Sequence, residues 1–275
     1  MPGSNARALE KAKELDADCM IFDLEDAVAP EAKETARTQV AAAVRAGGFG
    51  EREIVIRINS LDTEWGEADV AAIASCGAHA VLLPKVESAE QLTTLLAALV
   101  AAGAPADQKL WLMAETPRGI LNLDDICHSP QLAAVVMGTS DLAKMLRVAP
   151  DGPRTGLLNA LSHSVTAARA HGLDILDGVH LGIDDDAAFR AACDQGRELG
   201  FDGKTLIHPR QIATTNAVFG VSKAQAIEAE AVLESFKQAR AAGQGVAVHN
   251  GKLVEQLHVD EAERILALYT TTSKN

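Results

Sequence analysis

The run LWLMA, residues 110–114, is built for a dry interior, yet the next residue is a carboxylate, Glu115, opening the stretch ETPRG. Burying a lone carboxylate is costly, so Glu115 requires a cation, a hydrogen-bond network or an open cleft. The same oddity recurs along the chain. Other apolar runs finish on Asp23, Glu25 and Asp26; on Arg57 and Asn59; on Lys85; on Thr139, Ser140 and Asp141; on His180; and on His208. Such repetition favours one shared polar site over many separate ion pairs. Four acids (Glu25, Asp26, Glu115, Asp141) would then meet two cations (Arg57, Lys85). Crowded carboxylates repel unless one is protonated or a cation sits among them. With no cysteine or multi-histidine set nearby, oxygen ligands favour a hard divalent ion, Mg2+ held by two carboxylates plus substrate and water. The competing account is a Glu115–Arg118 salt bridge that closes a surface turn.

The remaining polar residues each carry two readings. Arg57 has the fork to grip a substrate carboxylate through two parallel hydrogen bonds, or it balances the charge of Glu25 or Asp26. Gly138, Thr139 and Ser140, just before Asp141, can present backbone N–H groups to a ligand. Lys85 is the second cation available to a substrate. His208, which precedes Pro209, is either part of the surroundings of the site or a hydrogen-bonded residue at a strand end.

These residues need elements to hold them. Short apolar runs at 19–26, 53–59, 79–86, 109–115, 133–141, 175–181 and 203–209 alternate with Ala-rich helical segments. That rhythm predicts parallel strands buried on both faces. Between two of them, SAEQLTTLLAALVAAG predicts a helix capped by Ser88 and stopped at Gly103. A (β/α)8 TIM barrel carries its active site at the carboxyl ends of its strands, where these polar residues fall. One further strand would have to precede residue 1, so the expectation is a barrel whose first strand is absent or reduced to a stub. An open doubly wound sheet is the alternative. The catalytic barrel is expected over residues 1–220. Residues 221–275 read as an extension: a long helix KAQAIEAEAVLESFKQARAAG, a hairpin within GQGVAVHNGKLVEQLHV, and a terminal helix through Tyr269.

Composition narrows the partners. A formal charge of −13 argues against nucleic acid, which demands a basic footprint. No apolar run reaches membrane-spanning length. Cys19, Cys76, Cys127 and Cys193 form no C-x-x-C pair, and there is no signal peptide, which points to reduced thiols in a cytoplasmic protein.

The motifs FDLEDAVAPEAK, VIRIN, LLPKVES, MAETPRGI, MGTSDLA and GFDGKTLIHPRQI occur in that order. Together they resemble the citrate lyase β-subunit-like group, with the malyl-CoA and citramalyl-CoA lyases of the HpcH/HpaI aldolase superfamily. The resemblance runs from Pro2 to about Gln211 and again through GQGVAVHNGKLVEQLHVDEAERIL. It implies a TIM barrel in a homotrimer or homohexamer, with Mg2+ on Glu115 and Asp141. Arg57 and the backbone from Gly138 to Ser140 would hold the carboxylate of a small 2-oxo acid. Glu25 and Asp26 would stand behind or hold water, Asp26 close enough to take part in catalysis. A carboxylate on a C-terminal lid would reach a neighbouring subunit as acid/base, and the segment GKLVE places Glu255 where aspartate is common. The extra methylene displaces that carboxylate by roughly 1 Å, enough to cost about 100-fold in rate.

The reaction so implied is Mg2+-dependent cleavage or formation of a β-hydroxyacyl-CoA, such as malyl-CoA or citramalyl-CoA. The tail V-E-x-L-H, DTEWG (62–66) and AAGQGVAV (241–248) look like a malyl-CoA thioesterase-like subgroup. A citrate lyase β-subunit acting on a citryl-acyl-carrier protein, or a non-catalytic barrel that binds metal and oxo acid, are the other readings.

Overall fold

The computed structural model describes residues 1–149 and 153–272. Two compact units divide the chain, Met1–Ala213 and Thr214–Asn275. In the first, seven strands form one sheet: β1 Cys19–Asp23, β2 Glu53–Arg57, β3 Ala80–Leu83, β4 Lys109–Ala114, β5 Leu132–Met137, β6 Asp174–Asp177 and β7 Gly203–Lys204. Every neighbouring pair is parallel, and the spatial order is the chain order from β1 to β7. A doubly wound sheet reverses direction at a switch point; this one does not. The winding is that of a TIM-barrel-like α/β fold. Met1–Gly3 runs beside β1: Pro2 bridges Asp23 in parallel, Asp23 N donates to Met1 O at 2.8 Å and Gly3 N to Asp23 O at 2.8 Å.

Both faces of the sheet are apolar, for different reasons. One face packs under the helices and buries Phe22, Ile54, Ile56, Leu83, Leu110, Leu112 and Ile175. The other gathers Val55, Ala80, Leu82, Trp111, Ala134 and Val136 into an inner cluster, with Cys19, Ile21, Met113 and Leu176 against it. Side chains alternate along a strand, so continuing the inner row carries Asp23, Arg57 and Glu115 to one side of the sheet. Register sets their height: Asp23 pairs with Arg57 and Ala114 with Met137, which brings Glu115 beside Gly138.

The strands are shorter than the apolar runs that announced them: β3 ends at Leu83, before Pro84, and β7 is only Gly203–Lys204. Thr139, Ser140 and Asp141 do not end a strand. They open the helix Thr139–Leu146, with Asp141 in its first turn. The helix Ala89–Ala101 forms as expected, with Ser88 and Gln91 in a reciprocal cap and Gly103 at φ +102° beyond it.

The second unit contains a 19-residue helix, Lys223–Ala241, capped by Ser222 and Gln225. The antiparallel hairpin β8 Ala247–His249 and β9 Lys252–Val254 turns at Asn250-Gly251, both at positive φ. Phe236, Ala239, Ala247, Val254 and Val259 form this unit's core. The closing helix spans Gln256–Thr272, so QLHV, read as part of the hairpin, is helical instead. Among the described residues no helix is long and apolar enough to cross a membrane.

Candidate active site

Glu115 lies one residue beyond β4 and is 2% exposed. Its Oε1 accepts from Lys85 N at 2.9 Å. A Cβ placed on Gly138 would stand 2.3 Å from Oε2 and 2.4 Å from the Glu115 Cβ, so this approach requires glycine. Lys85 adopts φ +52°, a left-handed backbone that costs a lysine about 1–2 kcal/mol. That turn aims its N–H at Glu115, while its ammonium pairs with Glu25 Oε1. No ion pair joins Glu115 to Arg118 among the described residues. The surface-turn account of Glu115 therefore fails: its carboxylate is buried, bonded by Lys85 N and packed against Gly138.

Asp23 is a second hub, at the end of β1. Its carboxylate accepts from Glu25 N (2.9 Å), Ala27 N (3.0 Å), Arg57 Nε (2.7 Å) and Arg57 Nη2 (2.6 Å). One edge of the Arg57 fork is therefore engaged by Asp23, which the sequence places at a strand end but gives no role. The remaining Nη1 lies 3.0 Å from Glu25 Oε2 and 3.9 Å from Asp26. Of the two readings of Arg57, charge balance is visible directly, and any grip on a substrate carboxylate falls to the outward end of the guanidinium. Glu25 braces the two cations. It is buried between Arg57 and Lys85, and its Oε2 accepts no hydrogen bond. Asp26 is exposed, 4.0 Å from Lys85 Nζ.

Electrostatics follow from this crowding. Burial, then the charge of Glu25, pushes the Glu115 carboxyl up to about 7, against the pull of its bond from Lys85 N. Burial also raises Glu25, opposed by Arg57 and Lys85. Asp23 goes the other way: burial would raise it, but the hydrogen bonds and charge of Arg57 hold it below the usual carboxylate range.

The other expected residues fall into place unevenly. The Gly138 N–H donates to Ala114 O at 3.1 Å and cannot hold a ligand; Thr139 and Ser140 stand in the first turn of their helix, where N–H groups have no intrahelical acceptor. The Asp141 carboxylate, half-buried, has no hydrogen-bond or ion-pair partner among the described residues. His208 caps the turn Pro209–Gln211, its Nδ1 accepting from Arg210 N at 3.2 Å, the local role of a strand-end histidine. Glu255, in the second unit, is exposed at the start of the closing helix; its N–H donates to His258 Nδ1 at 3.0 Å and its carboxylate is unpartnered among the described residues.

A hard divalent cation fits this donor set. Glu115 offers Oε2, which no donor bonds among the described residues, Asp141 offers an unpaired carboxylate, and the crowding that lifts the Glu115 carboxyl is what a cation relieves. Among the described residues no three Asp, Glu, His or Cys side chains converge in metal-holding geometry, so the protein would supply two ligands and leave the rest to water and substrate.

A family profile, HpcH/HpaI aldolase/citrate lyase, matches residues 1–209. The chain belongs to that family. It is 48% identical over 269 residues to a (3S)-malyl-CoA thioesterase of Cereibacter sphaeroides, covering 97% of this chain and 92% of that one. It is 33% identical over 273 residues to the citrate lyase subunit beta of Escherichia coli, covering 97% and 90%. Among solved structures, the protein CitE of Mycobacterium tuberculosis, in complex with magnesium, acetoacetate and coenzyme A, superposes with a TM-score of 0.79. That pair shares 27% identity and covers 98% of this chain and 96% of the other. Members of this family are enzymes, and the present chain is one of them.

Proposed function

We propose that this enzyme acts on malyl-CoA, or a close β-hydroxyacyl-CoA, at an Mg2+-dependent site built around Glu115. The observation that carries the reading is a buried carboxylate with one oxygen held by Lys85 N and the other open beside Gly138. Glu115 and Asp141 would hold the ion. When bound, Mg2+ supplies Lewis acidity toward the hydroxyl and carboxylate oxygens of the acid end. The outward end of Arg57 and the N–H groups of Thr139 and Ser140 would orient that carboxylate. Lys85 ties Glu25 to Glu115, keeping two acids at a fixed separation.

The 48% relative favours thioester hydrolysis. Water adds to the thioester carbon, the carbon–sulfur bond breaks, and CoA leaves as its thiol. Asp26, exposed beside Arg57 and Lys85, would take the proton of that water. Carbon–carbon cleavage to an acyl-CoA and a 2-oxo acid is the second reading, supported by the family and by the citrate lyase relatives. There a base takes the hydroxyl proton and an acid returns one to the enolate carbon; Glu255 is the proposed carrier. Alongside either reaction we propose a TIM barrel whose first strand is reduced to Met1–Gly3, in a homotrimer or homohexamer whose C-terminal segments act as lids.

Incubation with (3S)-malyl-CoA and Mg2+ separates the outcomes. Malate with free CoA thiol marks hydrolysis, glyoxylate with acetyl-CoA marks cleavage, and neither product removes malyl-CoA as the substrate.

A further inference from the structure

Lys33 and the DTEWG stretch lie outside the site as described, yet they meet. Lys33 opens the helix Lys33–Ala46 and is 5% exposed. Its Nζ donates to Leu24 O (2.8 Å), Glu25 O (2.7 Å) and Asn59 Oδ1 (2.7 Å), which uses all three ammonium hydrogens. The ring of Trp65 covers the ammonium, 4.9 Å from Nζ to centroid, a cation–π contact. Asn59 is itself fixed, its Nδ2 donating to Leu24 O (2.8 Å) and Asp69 Oδ2 (2.6 Å). Gly66, whose Cβ would stand 2.5 Å from Ser60 O, permits the tight start of the helix Gly66–Ile73 that carries Asp69.

No carboxylate is ion-paired with Lys33 among the described residues. A buried ammonium bonded only to neutral oxygens is an expensive way to fill a core, and an apolar side chain would serve stability as well. What the arrangement fixes is one peptide. Glu25 is gripped on both sides, its N–H by Asp23 Oδ1 at 2.9 Å and its carbonyl by Lys33. Its carboxylate is thereby aimed at Arg57 and Lys85.

We propose that Lys33, held under Trp65, is a positioning residue that sets the Glu25 carboxylate, and through Lys85 the approach to Glu115. The proposal rests on the reading of that site as catalytic. Lys33→Met keeps the stem and removes the donors. Hydrogen exchange at the Glu25 and Ala27 amides should then quicken about tenfold, while β4 and the helix Lys33–Ala46 exchange as before. On malyl-CoA with Mg2+, kcat should fall about 10- to 100-fold with KM for the thioester within about twofold, the pattern of a lost supporting contact. Trp65→Phe retains a ring over the ammonium and should stay within about twofold of wild type in kcat. Unchanged exchange at Glu25 overturns the proposal, as does quickened exchange with unaltered kcat. Should Lys33→Met fail to fold, Trp65→Leu keeps the ammonium without its cover; exchange at Glu25 must still quicken. Wild-type protein that turns over no acyl-CoA would sink the functional reading alone, and the exchange rates then decide this one.

Discussion

Two clusters of charge occupy the carboxyl ends of the strands, and they are built on opposite terms. At the ends of β1 to β4, four carboxylates (Asp23, Glu25, Asp26, Glu115) face two cations, Arg57 and Lys85. At the ends of β6 and β7 a single carboxylate, Asp177, meets two cations. It accepts from Arg154 Nη1 at 2.7 Å and 2.8 Å, from Lys204 Nζ at 2.7 Å and from Gly178 N at 2.8 Å. The spare donors are used too: Arg154 reaches Gln195 and the Ala192 carbonyl, and Lys204 the Gly178 carbonyl. Strand alternation explains the difference in duty. Leu176 packs in the inner cluster, so Asp177 turns outward toward the helix Asp186–Leu199, where a closed network ties sheet to helix. Asp23, Arg57 and Glu115 turn inward, and there Glu25 Oε2 and Glu115 Oε2 accept no hydrogen bond among the described residues. A satisfied cluster holds a fold together; the acid-rich one is where the proposed metal and substrate would sit.

That contrast makes opposite demands on two isosteric substitutions. Glu115→Gln should reduce metal-dependent turnover by about 10³-fold, the scale of losing one electrostatic contact to the reacting group. The melting temperature should hold or rise, because a neutral side chain no longer competes with Glu25. Asp177→Asn should do the reverse. It leaves Lys204 and Arg154 without their counter-charge and should cost about 3–5 kcal/mol in urea unfolding, with kcat unaltered in the fraction that remains folded. A stability loss at Glu115 matching that at Asp177 would erase the distinction.

The sequence showed this contrast only in part. All seven strands were legible, because apolar runs between Ala-rich segments leave parallel buried strands as the economical reading. Convergence of the strand-end polar residues was legible for the same reason: parallel strands share one carboxyl end. Which side each residue faces was not. Asp23 stood in the same FDLED run as Glu25 and Asp26, and only register shows that it takes one edge of the Arg57 fork. Asp177 and Lys204 sit in ILDGVH and GKTLIHP, motifs noticed for their histidines, and their pairing depends on β6–β7 contact across 27 residues. Lys33 was quoted within EDAVAPEAK without a role, since nothing local announces three acceptors brought from Leu24, Glu25 and Asn59.

Proton linkage gives the next test. Burial first, then the charge of Glu25, lifts the Glu115 carboxyl from its ordinary 4.5 to about 7. Between those values the folded protein holds a proton that the unfolded chain has released, so stability falls as pH rises from about 4.5 to about 7, then levels off. The gap corresponds to about 3 kcal/mol. Urea unfolding in the presence of a chelator, compared at pH 5 and pH 8, should show the decline, and Glu115→Gln should flatten it. Excess Mg2+ should restore stability mainly on the alkaline side, where the carboxylate is ionised and the cation has something to bind. An identical slope in wild type and variant would assign the decline to other groups.

Arg57→Lys is the finest division between the clusters, because Arg57 belongs partly to each kind. Its Nε and Nη2 secure Asp23, a structural duty like that of Arg154 toward Asp177, while Nη1 faces Glu25 and the open side. A lysine offers one compact charge and cannot do both. Loss of the paired hydrogen bonds should cost about 1–2 kcal/mol of stability. If the outward end also meets substrate, KM for malyl-CoA should rise about tenfold, equivalent to about 1.4 kcal/mol, with binding of free CoA unaffected. Arg154→Lys supplies the control, since it should lose stability alone. A rise in KM confined to Arg57→Lys assigns the substrate carboxylate to this guanidinium; stability losses in both with KM unmoved make Arg57 a strut for Asp23 and leave the carboxylate to the N–H groups of Thr139 and Ser140.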